Sequence, residues 1–413
     1  MFAFVLDRLI SHGNLTVVDA SGNARHFGDG SGTPVTIRLH KKKLEWQLGL
    51  NPYLKLGEAY MDGTLTIDAP ARIYDALDII LSNVGIAWAH PLAKLVGRIR
   101  RAKRRIDQFN PVGKAQANVA HHYDLDAGLY DLFLDTDKQY SCAYFETPDM
   151  SLEAAQLAKK RHIAAKLNLS PETHVLDIGC GWGGMALYIA RETGARVTGV
   201  TLSEEQHKIA TERAALAGLS DRVKFRLQDY REVEETFDRI VSVGMYEHVG
   251  VHHYDEFATK LHALLKPNGI ALIHTIGRLD EPGATNPWIA KYIFPGGYIP
   301  ALSEVAPTLE RQQLLLNDLE VLRLHYASTL RHWRNRFLAR WDDAVALYDE
   351  QFARMWEFYL AGSETSFRHE GMVVFQFQLT REIDALPLTR DYISDWERDH
   401  YDPLVQEKSV SGG

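Results

Sequence analysis

The sequence predicts an α/β fold: a doubly wound, mostly parallel seven-stranded sheet with helices around it and a smaller N-terminal domain in front. Three observations carry this expectation. From about residue 150 onward, short strand-like runs alternate with helical stretches, the pattern of right-handed βαβ units. The first of those runs empties into a glycine-rich turn, VLDIGCGWGG, residues 175–184. The first 110 residues also differ in charge from the rest: they hold 15 Lys and Arg against 10 Asp and Glu, and the remainder holds 31 against 44.

At 413 residues, 46% hydrophobic and 24% charged, the chain can bury a sizeable core in two structural units. Only Cys142 and Cys180 occur, which excludes a disulfide framework and points to a reducing compartment. The opening MFAFVLDRLI carries Asp7 and no cationic stretch before its apolar residues, so it reads as a poor secretory signal. No run approaches the roughly 18 apolar residues that a membrane span needs. A cytoplasmic protein is expected. The basic front part on an acidic body points to a local anionic partner, lipid headgroups or nucleic acid.

Residues 1–107 form the expected N-terminal domain. TVVDASG and TPVTIRLH read as strands between Gly- and Asp-rich turns, and LNPYLKLGEAYMDGTLTID as a helix running into a turn and a strand. In IAWAHPLAKLVGRIRRAKRRI, residues 86–106, Trp88, Leu92, Leu95, Ile99, Ala102 and Ile106 recur at spacings of three and four, with Lys and Arg between them. Such a basic amphipathic helix suits an anionic membrane surface, or a domain core with a solvated basic face. Residues 108–120 read as a linker, 121–385 as the main α/β domain and 386–413 as a tail.

Within the main domain the helix SLEAAQLAKKRHIAAKLNL precedes the strand THVLDI. A helix to about Glu192, the strand ARVTGVT, a helix near 203–217 and the strands RVKFRL and DRIVSV follow. A helix near 253–265 then leads into GIALIHTI. LEVLRLHY and MVVFQFQLTR supply the sixth and seventh strands, with helices from about 329 to 360 between them.

In the glycine-rich turn, a buried strand delivers Asp177, and Gly179, Gly181, Gly183 and Gly184 let the backbone turn sharply and approach a ligand closely. A dinucleotide site would show G-x-G-x-x-G and offer a helix N-terminus to a pyrophosphate. Here an acid precedes the first glycine. A carboxylate there repels phosphate but can hold the ammonium of an amino-acid group, which favours S-adenosylmethionine over a dinucleotide. The second strand ends in TLSEEQ, so Thr201, Ser203 and Gln206 are polar but neutral where an acid for ribose is usual. Ser203 with Gln206 is also a capping box, and both readings can hold. The third strand ends in QDYR, which puts Asp229 and Tyr230 near the adenine. His121 and His122 complete no metal-ligand set, so no metal is expected.

Taken in order, HYDLD (122–126), YSCAYF (140–145), VLDIGCGWGG, GVTLSEEQ, QDYR, FDRIVSVGMYEHVG (237–250), HTIG (274–277) and PWIAKYIFPGGYIP (287–300) resemble the cyclopropane-fatty-acyl-phospholipid synthases, from about residue 115 to 380. The first hundred residues resemble the extra domain of the members that act on phospholipid. The resemblance implies transfer of a methylene group from S-adenosylmethionine to the cis double bond of an unsaturated phospholipid acyl chain in a bilayer. It implies a carbocation deprotonated by bound bicarbonate, in a cradle of Cys142, Glu247, His274, Tyr326 and the backbone at Ile276. It adds Tyr140 and Ser141 to the cofactor residues. It implies peripheral contact with the inner face of the membrane, no nucleic-acid partner, and room for a homodimer. Aromatic walls stabilise a cation without attacking it. Tyr140, Tyr144, Phe145, Tyr246 and Tyr326 are the candidates, with core packing the simpler reading for Tyr144 and Phe145. In PWIAKYIFPGGYIP, apolar Trp288, Ile289, Ile293 and Phe294 among glycines and prolines are expected on a loop exposed to an acyl chain. The chain departs from some members where GSETSFR places Ser363 at a cysteine position, so a thiol there is not essential. Three alternatives remain: a related methyltransferase giving methyl-branched or methylene chains, a nitrogen methyltransferase sharing the motifs, and a lipid-binding module without catalysis.

Overall fold

The computed structural model describes residues 2–84 and 127–401. The expected basic helix at 86–106, the linker at 108–120, HYDLD, the His121–His122 pair and the end of the tail lie outside the described residues. Contacts divide the chain into two compact units, each drawn from several stretches of sequence.

The first unit comprises the described residues to 84 together with Ala284–Pro295 and Ala327–Met372. Its sheet runs β2 (Ala24–Phe27), β1 (Leu15–Val18), β3 (Val35–Leu39), β4 (Leu65–Ile67). β1 pairs parallel with β3, and the β1–β2 and β3–β4 pairs are antiparallel. Alternation explains these short strands: Leu15 and Val17, then Val35, Ile37 and Leu39, are buried while their neighbours are more exposed. The helix Glu350–His369 completes this core. Its Ala361 and Phe358 pack with residues of the first 84, and Glu357 accepts a 2.7 Å hydrogen bond from the Tyr60 hydroxyl and pairs with Arg72 at 3.2 Å.

The stretch PWIAKYIFPGGYIP corrects the exposed-loop expectation. Pro287–Tyr292 is a short helix, Trp288 and Ile293 are buried, and the Trp288 indole N–H points to Met61 Sδ at 3.3 Å. Of the side chains expected on a ligand-facing loop, Trp288 and Ile293 are instead satisfied by packing, while Ile289 and Phe294 are half-buried.

The second unit holds the seven-stranded sheet: β5 (His174–Ile178), β6 (Arg196–Thr201), β7 (Val223–Leu227), β8 (Phe237–Val243), β9 (Leu265–Arg278), β10 (Leu315–Leu322) and β11 (Met372–Thr380). The order is β10-β11-β9-β8-β5-β6-β7. β5 pairs parallel with both β6 and β8, β6 with β7 and β8 with β9, whereas β10 and β11 are antiparallel. The doubly wound, mostly parallel expectation is therefore met. Strand order reverses at β5, so a crevice opens beyond the carboxyl ends of β5 and β8, where sheets of this kind bind ligands. β10 ends at Leu322, four residues before the expected strand end, because His325 and Tyr326 open the helix His325–Ala339.

Candidate active site

A pocket lies at this switch point. Its walls come from the turn 177–185, the end of β6, the segment 228–231, the segment 243–249 after β8, and residues 138–141. Asp177, Gly179, Gly181, Thr201, Gln206, Asp229, Tyr230, Tyr140 and Ser141 all line it, as does His248, which beside Glu247 reads in sequence as a loop-positioning residue, and as do Lys159, Trp182 and Arg231, which sequence reasoning did not single out.

The glycine turn is built by its backbone. Gly179, Gly181 and Gly183 have φ of +79°, +54° and +83°, a region open to glycine at little cost. A Cβ on Gly181 would meet nothing, so that position faces open space. A Cβ on Gly183 would sit 2.6 Å from Phe225 Cζ. Gly183 thus serves the turn and its packing, and it lies outside the pocket wall.

Asp177 is almost fully buried, and its Oδ2 has no hydrogen-bond partner. Burial pushes its carboxyl up to about 7, opposed by the positive field of Lys159. A buried carboxyl without a partner suits a cationic ligand group. The basic residues of the pocket are already committed. Lys159 donates to Gln139 Oε1 at 2.6 Å and Ser141 Oγ at 2.8 Å, and Arg231 clasps Asp229 through Nε at 2.9 Å and Nη2 at 2.7 Å. The donor set fits an ammonium better than a phosphate, as S-adenosylmethionine requires.

The neutral end of β6 is organised rather than absent. Thr201 Oγ1 donates to Gln206 Oε1 at 2.8 Å, and Ser203 Oγ accepts from Gln206 N at 3.2 Å. Ser203 is therefore the helix cap and lies outside the pocket wall, whereas Gln206 is held on it.

Cys142, Glu247, His274, Ile276 and Tyr326 lie outside that pocket wall, and Glu247 and Ile276 are joined directly. Glu247 Oε1 accepts the Ile276 N–H at 2.7 Å, while Oε2 has no partner and burial lifts the carboxyl to about 7. The Ile276 N–H is thus engaged in aiming Glu247. His274, near the end of the neighbouring strand β9, is held neutral by burial, its pKa well below the usual imidazole value. Lys166 Nζ donates to Gln376 Oε1 at 2.9 Å, which turns the Gln376 amide nitrogen towards His274 Nδ1 at 3.2 Å. Nδ1 is therefore the acceptor and Nε2 carries the hydrogen, a buried donor without a partner. The Cys142 thiol donates to the Ala143 carbonyl at 3.3 Å; further along the same segment the Phe145 N–H donates to His325 Nδ1 at 3.0 Å, and Tyr144 stacks between His162 and His325 with ring centroids 4.3 and 4.9 Å away. Lys159 is the electrostatic hub, acting on Asp177, Cys142 and His274; burial draws its own pKa down to about 8.

Of the proposed aromatic wall, Tyr140 lines the pocket. Tyr246, in the 3₁₀ turn after β8, instead stacks on Tyr254 at 4.5 Å within the core.

Comparison with known proteins accords with this geometry. Residues 112–377 match the family model described as mycolic acid cyclopropane synthetase. The chain is 41% identical over 356 residues to the cyclopropane-fatty-acyl-phospholipid synthase of Escherichia coli K12, covering 85% of this chain and 89% of that protein. It is 35% identical over 394 residues to the tuberculostearic acid methyltransferase UfaA1 of Mycobacterium tuberculosis, covering 92% and 90%. Among solved structures, the cyclopropane synthase MmaA2 from M. tuberculosis superposes with a TM-score of 0.62 at 33% identity, over 66% of this chain and 99% of that one. The mycolic acid cyclopropane synthase CmaA1 complexed with SAH and CTAB gives 0.61 at 34%, over 66% and 99%. A buried, unpartnered carboxyl at the switch point, a glycine turn that lines the same pocket and a match across most of the chain have one reading: the protein belongs to the mycolic acid cyclopropane synthetase family, among the S-adenosylmethionine-dependent methyltransferases.

Proposed function

We propose that the enzyme transfers a methylene group from S-adenosylmethionine to the cis double bond of unsaturated phospholipid acyl chains, closing a cyclopropane ring, and that bicarbonate is the base. The observation that carries this reading is the pair of buried, unpartnered polar atoms at neighbouring strand ends, Glu247 Oε2 and His274 Nε2.

When bound, S-adenosylmethionine supplies an electrophilic methyl on a sulfonium. Asp177 would take its ammonium, Gln206 and Asp229 would address its nucleoside, and the backbone at Gly179 and Gly181 permits close approach. The alkene would attack that methyl as its bond to sulfur breaks, the electron pair leaving on S-adenosylhomocysteine, and the acyl chain would become a carbocation. Bicarbonate supplies a base without metal-ligand spacing. The His274 Nε2–H would donate to the anion, and Glu247, raised to about 7, would offer a neutral hydroxyl rather than a repelling carboxylate. Cys142 and Tyr326 complete the cradle, and the Ile276 N–H aims Glu247. Loss of a proton from the transferred methyl closes the ring. Burial of the whole group keeps out water, which would trap the cation as an alcohol.

The 35% identity to a relative named for tuberculostearic acid, over 92% of the chain, favours a methyl-branched or methylene product as the second reading. Nitrogen methylation needs no carbon base and leaves Glu247 and His274 without a task. Mass spectrometry of lipids from cells expressing the chain decides. One added CH2 per unsaturated chain, with ring-specific fragments, is expected. Branch-specific fragments overturn ring closure, and unchanged lipids overturn the lipid substrate.

A further inference from the structure

The first unit carries an exposed surface that no part of the active site uses. On the helix Leu44–Leu50 and its N-cap Lys43, the residues Lys43, Trp46 and Leu50 recur at spacings of three and four, one stripe of the helix. Leu44 and Leu48 on the other side are buried in the core. Trp46 is 65% exposed, Leu50 76%, and Tyr53, just past the break at Asn51, 51%. Lys41 and Lys42 precede the stripe and are also exposed. The helix Phe2–Leu9, which packs against this one, adds Phe4 at 53% exposure with the Arg8 guanidinium 3.8 Å over its ring. Of the acids on these two helices, Asp7 is paired with Arg25 at 2.8 Å and Glu45 is half-buried.

We propose that Trp46, Leu50, Tyr53 and Phe4, with Lys41, Lys42, Lys43 and Arg8, form the surface by which this unit docks on an anionic lipid bilayer. Single apolar side chains are ordinary on a protein surface, but several together on adjoining helices and rimmed by cations mark an interaction site. A protein partner would match the apolar groups without requiring the lysine run. An anionic membrane matches both: aromatic and aliphatic groups enter the headgroup boundary while the lysines meet lipid phosphate. The inference rests on the proposed function only in that its substrate resides in a bilayer.

The test is co-sedimentation of the full chain with vesicles of phosphatidylglycerol and phosphatidylcholine, or of phosphatidylcholine alone, at low and high salt. Wild type is expected to bind the anionic vesicles more tightly, with salt weakening the binding. Lys41→Gln/Lys42→Gln/Lys43→Gln is expected to lose about a hundredfold in affinity for anionic vesicles, and Trp46→Ser/Leu50→Ser at least about tenfold. Both replace exposed groups, so thermal melts should match wild type. Vesicle affinities within about twofold of wild type for both variants overturn the proposal. So does a wild-type dimer that either variant dissociates while vesicle binding persists, which assigns the patch to a second copy of the chain. Methyl transfer to detergent-dispersed unsaturated lipid, run in parallel, separates the two readings. Its absence refutes the proposed function and leaves the vesicle result standing.

Discussion

Gln376 presents its side-chain nitrogen to Nδ1 of His274 at 3.2 Å, and it can face no other way because Lys166 holds its oxygen at 2.9 Å. One amide on β11 thereby decides which nitrogen of a histidine on β9 carries the hydrogen. Gln376→Glu reverses this, since a carboxylate draws the hydrogen to Nδ1 and leaves Nε2 as an acceptor. Turnover is expected to fall about 10- to 100-fold, the usual scale for groups that orient a functional histidine. Affinity for S-adenosylmethionine by calorimetry should be unchanged. A ¹⁵N spectrum showing the His274 tautomer unaltered would sink the assignment.

Burial pushes the Glu247 carboxyl up to about 7, against the Ile276 N–H bond, which pulls it down. Above that pH the carboxylate opposes a bound anion. The bicarbonate concentration giving half-maximal turnover is therefore expected to rise with pH above about 7. Glu247→Gln keeps a neutral donor and an acceptor for the Ile276 N–H, so it should flatten this dependence, while Glu247→Ala should abolish the response to bicarbonate. A wild-type requirement that is flat from pH 6.5 to 8.5 contradicts the role given to the carboxyl.

Asp177 makes a matching statement about stability. Its folded pKa, about 7, is raised above the ordinary 3.8, so the folded apoenzyme binds the proton more tightly than the unfolded chain. The associated stability is present below pH 4 and is lost as pH rises towards 7. Asp177→Asn should raise the melting temperature of the apoenzyme at pH 8 and weaken S-adenosylmethionine by about 100-fold or more, because the charge that meets the ammonium is gone. A lower melting temperature together with unchanged affinity would place the ammonium elsewhere.

Two glycines of one turn should respond differently. Gly183→Ala meets Phe225 at 2.6 Å as well as a φ of +83°, so a loss of about 3 kcal/mol in unfolding free energy is expected. Gly181→Ala, with φ +54° and open space, should cost about 1 kcal/mol and register chiefly as weaker cofactor binding. Equal destabilisation by denaturant titration would mean that the turn relaxes as a whole.

The sheet was legible because its information is local. β-branched runs, a Gly-rich turn after the first of them and Ser203 three residues before Gln206 all act within a few positions, and the cap forms as the spacing predicts. The cofactor pocket followed from those, since strand order fixes where a crevice opens. What failed to show is what depends on distant partners. Lys159 and Lys166 read as ordinary helix-surface lysines, yet both are buried, with partners at Gln139 and Ser141 and at Glu320 and Gln376. Gln376 reads as one polar residue in an apolar strand. Trp288 looked ligand-facing because sequence cannot say that Met61, more than two hundred residues earlier, receives its N–H.

The helix Glu350–His369 has a consequence for how the protein is made. It contributes Ala361 and Phe358 to the core of the N-terminal sheet, and its Glu357 takes the hydroxyl of Tyr60 and the guanidinium of Arg72. On the ribosome, residues up to 84 emerge long before that helix exists. At an elongation rate of about 5–20 residues per second, the nascent sheet waits about 15–60 s with one side of its core open. The first-synthesised part of this chain is therefore among the last to finish, and a nascent chain released before residue 369 carries an apolar face for chaperones to shield.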